Sequence, residues 1–316
     1  MPLPAFVLPQ MTITKERKRA AWLYFQVIFA TAVWGGAYPF TKHLVTEISP
    51  LSIITFRALV GVLALVLLTG SGLKAADFRP AVIWKVLVLS VLGVSAQQYL
   101  QAYALKYTLA LHAGWLIAVT PLMVAGLMAA LGEKIGPFKI AAFIAGFAGT
   151  LLVVLSKPGA AALPSTRGDL VFLATCAAWA VYVVFTRKWL TSWPQAKVTT
   201  LTMLIALLTV LPSWLLAGGP AEFQALTARG WASLAYLSVL SSALAYLFWN
   251  NSVEGLGAVK SSYFIYLEPF STLLTAYLLL GERAAATAFA GGMFILAGVY
   301  LLGLNNKKAG EALNYA

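Results

Sequence analysis

Residues 263–281 read YFIYLEPFSTLLTAYLLLG, an apolar run interrupted by one carboxylate, Glu268, and the proline after it. A helix that crosses a bilayer needs about 20 mostly apolar residues. Residues 258–280 supply that length with Glu268-Pro269 near the midpoint, and no other Asp or Glu falls near the centre of a membrane-length segment. An ionisable group at that depth costs roughly 2.5–3.5 kcal/mol on insertion scales, and such groups face a partner or a water-filled cavity. Pro269 removes a backbone donor and crowds the preceding turn, and the carbonyls it frees are tolerated in a membrane only where protein or a cavity satisfies them. The stretch therefore predicts a membrane helix broken at a substrate pathway.

Composition extends this reading to the whole chain. Of 316 residues, 61% are hydrophobic and 10% charged, with mean hydropathy +0.84; soluble domains carry about 25% charged residues. An all-α polytopic membrane protein is expected, with the lipid bilayer as its solvent. The net charge of +12 is scattered over short connections and forms no basic face, so nucleic acid is not expected as a partner. Cys176 is the single cysteine and lies in an apolar segment, which leaves no intramolecular disulfide or cysteine metal cluster and suggests packing. No metal or cofactor is expected.

Residues 1–14 read as a disordered leader, within which Met11 is an alternative start, and Lys15-Glu16-Arg17-Lys18-Arg19 reads as a cytoplasmic anchor. Ten apolar segments follow, at about 21–42, 50–70, 81–104, 108–131, 136–156, 168–187, 195–217, 230–251, 258–280 and 285–305. With the N-terminus inside, fifteen Lys and Arg fall on the cytoplasmic side and six on the other, which places both termini in the cytoplasm of a cell (inner) membrane protein.

The two halves repeat. Trp34, Phe40, Thr41 and Lys42 match Trp179, Phe185, Thr186 and Arg187 at an offset of 145, and Leu131-Gly132-Glu133-Lys134 matches Leu280-Gly281-Glu282-Arg283 at 149. Pro121 pairs with Pro269, and Ala148-Gly149 with Ala297-Gly298. Five spans per unit is an odd number, so the second unit lies upside down relative to the first, the plan of carriers whose site lies between the halves near the midplane. The division is a leader (1–19), a first repeat (20–156), a linker (157–167), a second repeat (168–305) and a tail (306–316).

Trp34-Gly35-Gly36, Ser49-Pro50 with Arg57, Thr120-Pro121 before Leu131-Gly132-Glu133, and Glu268-Pro269 before Leu280-Gly281-Glu282-Arg283 resemble, in this order, the EamA-type drug/metabolite transporter superfamily over residues 20–305. The resemblance implies two inverted five-helix repeats around a central cavity, the fifth and tenth helices as outer supports, and export of small metabolites. Within it the chain looks most like YddG-type exporters of amino acids, aromatic ones included.

Candidate substrate residues follow from spacing. Trp34 and Tyr38 (i, i+4) and Trp179 and Tyr182 (i, i+3) each share a helix face, facing a cavity or anchoring at the interface. Gln98 and Gln101, with Gln97 beside them, need partners in a ligand or in neighbouring helices. Tyr246 and Asn250 are the mixed aromatic and polar set of segment eight, suited to a flat ring with a polar head. Trp115 and Tyr266 complete the set expected around Glu268. His112 offers proton coupling or a plain hydrogen bond, and Arg57 either snorkels or pairs within a cavity. Glu133 and Glu282 read as helix-end charges.

A phosphorylated substrate would need concentrated positive charge, and only Arg57 lies within a segment. An enzyme would need an activated nucleophile or a clustered metal site, which two histidines and one cysteine do not assemble. A pore is the remaining alternative to a carrier. The reading is a monomeric secondary exporter of small molecules, amino acids foremost, with drug-like amphiphiles and nucleosides as alternatives.

Overall fold

The computed structural model describes residues 8–70, 72–132, 137–156, 166–190, 193–256 and 263–314. The longer helical segments among them are α1 Leu8–Leu44, α2 Pro50–Thr69, α3 Pro80–Leu105, α4 Ala110–Ala130, α5 Pro137–Val154, α6 Thr166–Leu190, α7 Gln195–Leu216, α8 228–256, α9 263–280 and α10 Ala286–Asn314, with short helical turns at Ala75–Phe78, Gly219–Glu222 and Phe223–Ala225 between them. No strand occurs among the described residues. Seven helices, α1 to α4 and α6 to α8, contain stretches long and apolar enough to cross a membrane. The apolar runs of α5, α9 and α10 are shorter: Ile140–Val154, Phe264–Leu280 and Ala286–Gly298.

One boundary corrects the sequence reading. The stretch expected to be disordered to Thr14 is helical from Leu8. Its Leu, Gln and Met are good helix formers, and Pro9 sits in the first turn, where a missing donor costs nothing. Elsewhere local chemistry sets the helix ends. Ser49 caps α2, its hydroxyl accepting from the Ser52 N–H at 3.2 Å, with Pro50 in the first turn. Gly132 and Gly281, the repeated glycines after α4 and α9, both take positive φ (105° and 68°), which explains glycine at both helix ends.

Two kinds of helix irregularity recur at corresponding places. Wide i→i+5 turns occupy Val91–Ala96 in α3 and Tyr236–Leu244 in α8, and tight 3₁₀ turns occupy Ile117–Val119 in α4 and Tyr263–Leu267 in α9. Each tight turn runs into a Pro at the second position of the helix that follows, Thr120-Pro121 in one half and Glu268-Pro269 in the other. Helix packing obeys the same exchange. α1 lies against α8 and α9 as α6 lies against α3 and α4; α2 meets α8 as α7 meets α3; α2 pairs with α7, and α5 with α10. The largest core cluster joins Tyr38, Trp115, Phe172, Cys176 and Ile295, from α1, α4, α6 and α10.

Candidate substrate site

The break in α9 is held against α1. The Thr272 hydroxyl donates to the Gly35 carbonyl at 2.8 Å, and the Ser271 hydroxyl to the Ala32 carbonyl at 2.5 Å. A Cβ at Gly35 would lie 2.9 Å from the Glu268 Cα, so glycine is what lets the two backbones meet here. One turn further along α1, the Tyr38 hydroxyl donates to Glu268 Oε2 at 3.1 Å, with both residues nearly sealed at 5% and 4% exposure. The Tyr38 ring stands edge-on to Phe172 of α6 at 5.6 Å.

The wide turn of α8 supplies the opposite wall. Trp34 Nε1 donates to the Ser241 carbonyl at 3.1 Å, and its ring packs on Tyr246 and Trp249 at 5.1 and 5.3 Å. Arg57 Nε, from α2, donates to the Ser242 hydroxyl at 3.1 Å. The corresponding contact in the other half is made by Tyr182, stacked on Trp179 at 5.0 Å and 23° and packed against Gly93 in the wide turn of α3. Thus each wide turn receives an aromatic side chain from the first helix of the opposite half.

Of the remaining candidates, Gln98 and Gln101 are buried, as is Gln97, and their amides make no hydrogen bond to another described residue. The side chain of Asn250 lies outside the described residues. Tyr266 is half-buried in the tight turn and packs against the Trp115 cluster. Trp115, the aromatic candidate of α4, lies in the core. It is 1% exposed and stands edge-on to Phe270 and Phe289, fastening α4 to α9 and α10. Cys176 is buried with its thiol 3.6 Å from the Leu116 carbonyl, in the packing role read for it.

His112 is hydrogen-bonded through both ring nitrogens. Its Nδ1 lies 3.0 Å from Asp169 Oδ2 and its Nε2 3.0 Å from the Ser156 hydroxyl, while the Thr108 hydroxyl also donates to Asp169. Ser156 donates to the Val153 carbonyl at 2.8 Å and is buried, so this Asp-His-Ser chain ties helix ends and offers no free nucleophile.

That network belongs to a set of carboxylates of which the sequence reading named only Glu282, as a helix-end charge. At the end of the bundle where α1 finishes and α4 and α6 begin, Glu282 accepts from the N–H groups of Ala110 and Leu111, each at 3.1 Å, and approaches Lys42 at 3.7 Å. Lys42 also donates to the Thr108 carbonyl. Glu222 accepts from the Ser49 N–H at 2.6 Å, and Glu47 from the Thr227 N–H and hydroxyl at 2.9 and 2.7 Å. With Asp169, these four carboxylates each join one half to the other. At the opposite end Lys197 pairs with Asp77 at 2.6 Å, and a recess of about 290 Å³ lies between α1 and α8 beside Trp22, Gln26 and Asn251. Glu133, expected to end α4, lies outside the described residues.

The EamA-like transporter family matches the chain twice in tandem, over residues 21–155 and 166–304. An uncharacterized transporter of Archaeoglobus fulgidus is 30% identical over 85% of this chain and 93% of its own. A probable terminal-alkyne amino-acid exporter of Streptantibioticus cattleyicolor is 26% identical over 90% of this chain and 93% of its own. A probable amino-acid metabolite efflux pump of Salmonella typhimurium is 29% identical over 42% and 47%. A crystal structure at 18% identity superposes with a TM-score of 0.60 over 92% of this chain and 99% of that one, which speaks to the fold alone. Tandem family match, paired helix breaks and apolar helices agree: this chain is a multi-pass membrane transporter of the EamA-like family, in the drug/metabolite transporter superfamily, and not an enzyme.

Proposed function

We propose that the protein crosses the cell (inner) membrane ten times as two inverted repeats, with both termini cytoplasmic, and exports small zwitterionic metabolites, amino acids including aromatic ones foremost, by alternating access. The observation that carries this reading is Glu268: a carboxylate sealed beside a proline break, held by the Tyr38 hydroxyl, in a cluster bordered by Trp34 and Tyr246. Discontinuous helices at corresponding points of two repeats mark the binding region of carriers built this way. Wide turns are likewise frequent at functional sites. Glu268 supplies charge for an ammonium group, and Trp34, Trp179, Tyr182 and Tyr246 supply aromatic surface for a side chain. The names of two relatives, an amino-acid exporter and an amino-acid metabolite efflux pump, point the same way. In this topology the end tied by four carboxylates faces outward, so the structure corresponds to a state closed on the outside.

Purified protein in liposomes, screened for uptake of amino acids, sugars, nucleosides and cationic drugs, tests the substrate class. Saturable amino-acid uptake that accelerates when unlabelled substrate is preloaded on the other side is expected of a carrier. Glu268→Gln keeps shape while deleting charge; the variant should fold and lose amino-acid transport. Wild-type transport by that variant would leave Glu268 a structural residue.

A further inference from the structure

Two ionisable groups of opposite sign, Arg57 and Glu268, are buried, and each is held by a neutral partner. Arg57 is 7% exposed, and its hydrogen bond runs from Nε to the Ser242 hydroxyl. No carboxylate among the described residues lies within ion-pair distance of it. Glu268 is held by the Tyr38 phenol and has no described Lys or Arg as partner. Neighbouring side chains of α1 connect the two: Ser242, bonded to Arg57, follows the Ser241 whose carbonyl accepts from Trp34, and Glu268 accepts from Tyr38 one turn further along that helix.

Taking an ion out of water costs several kcal/mol, recovered only by opposite charge and well-placed hydrogen bonds. Neither ion finds its opposite among the described residues. A guanidinium carries five N–H donors in a planar fork that fits a carboxylate bidentately, and Ser242 occupies only Nε. We infer that Arg57 receives the carboxylate of the substrate while Glu268 receives its ammonium, so that the site selects zwitterions over amines or acids bearing the same side chain. The inference rests on the amino-acid reading above and deepens it by assigning a pole of the substrate to each charge.

The test is competition against labelled L-phenylalanine uptake in liposomes by phenethylamine, which lacks the carboxylate, and by 3-phenylpropionate, which lacks the ammonium. In wild-type protein, unlabelled L-phenylalanine should compete at least about tenfold better than either, the loss expected for one missing charge-assisted contact. Arg57→Gln should weaken competition by L-phenylalanine at least about tenfold more than competition by phenethylamine. Arg57→Lys, which keeps the charge without the fork, should restore part of the preference. Equal competition by L-phenylalanine and phenethylamine in wild-type protein overturns the inference, and this comparison needs no variant to fold. So does an Arg57→Gln protein that keeps the wild-type preference. Wild-type protein that takes up no amino acid overturns the amino-acid reading itself, and the assignment of poles with it.

Discussion

Glu282→Ala should loosen the carboxylate-tied end of the bundle. The side chain accepts two backbone hydrogen bonds at the start of α4, at 3.1 Å each, and its ion pair with Lys42 is longer, at 3.7 Å. Hydrogen bonds to a charged group contribute about 1.5–3 kcal/mol each. The donors sit at a helix end that water can reach once the carboxylate is gone, so the lower figure applies, about 3 kcal/mol for the two. The ion pair adds less than about 1 kcal/mol, because the Lys42 side chain remains 25% exposed. In the proposed transport cycle the halves part at this end and break these bonds, so their loss should shift the open-to-closed ratio by about a hundredfold. Ala110, whose N–H is one of the donors, is fully buried. Ala110→Cys in a Cys176→Ala background therefore reports opening through its rate of maleimide labelling. The rate should rise steeply when Glu282→Ala is added. An unchanged rate in a protein with an unaltered melting curve would show that Glu282 caps a helix without holding the halves together.

Three further outcomes follow from the geometry. Trp34→Ala and Trp179→Ala should weaken uptake of aromatic amino acids more than that of small ones; equal loss for all substrates would indicate damage to folding instead. Gly93→Ala should destabilise the protein by about 1–3 kcal/mol through overpacking, because the added Cβ would lie 2.6 Å from the Tyr182 Cβ; a melting temperature equal to wild type in detergent would refute that contact. The hydrogen bond from Lys197 holds the Asp77 carboxyl below its ordinary value. Its contribution to stability is therefore complete above about pH 4 and lost as pH falls through the depressed value. Asp77→Asn should remove that part of the acid sensitivity, measured as melting temperature against pH, and an unchanged acid profile would count against the pair.

The sequence by itself determined the class of fold and its internal symmetry. Segment length and apolarity are properties of the chain alone, because a bilayer imposes one length on every crossing helix and leaves no alternative partner for its backbone. Local chemistry was equally legible: Ser49-Pro50 starts a helix, and the glycines after Leu131 and Leu280 end two. Glu268-Pro269 declared itself as a charge at a helix break, since charge and proline are unusual in hydrocarbon wherever they fall. The tertiary structure decided which side chains meet. Nothing in the spacing of Trp34 and Trp115 separates a residue beside the α8 wide turn from one fixing α4 to α10, because both are aromatic residues within apolar helices and only the rotation of each helix against its neighbours distinguishes them. The wide turns that receive Trp34 and Tyr182 carry no residue signature, for a turn of i→i+5 type is a compromise between helix and packing. Among the partners of Arg57, His112 and Glu282 are Ser242, Asp169 and the backbone of Ala110 and Leu111. They lie between 57 and 185 residues away along the chain. Contacts at such separations are set when the two halves close on each other, and that closure exists only in three dimensions.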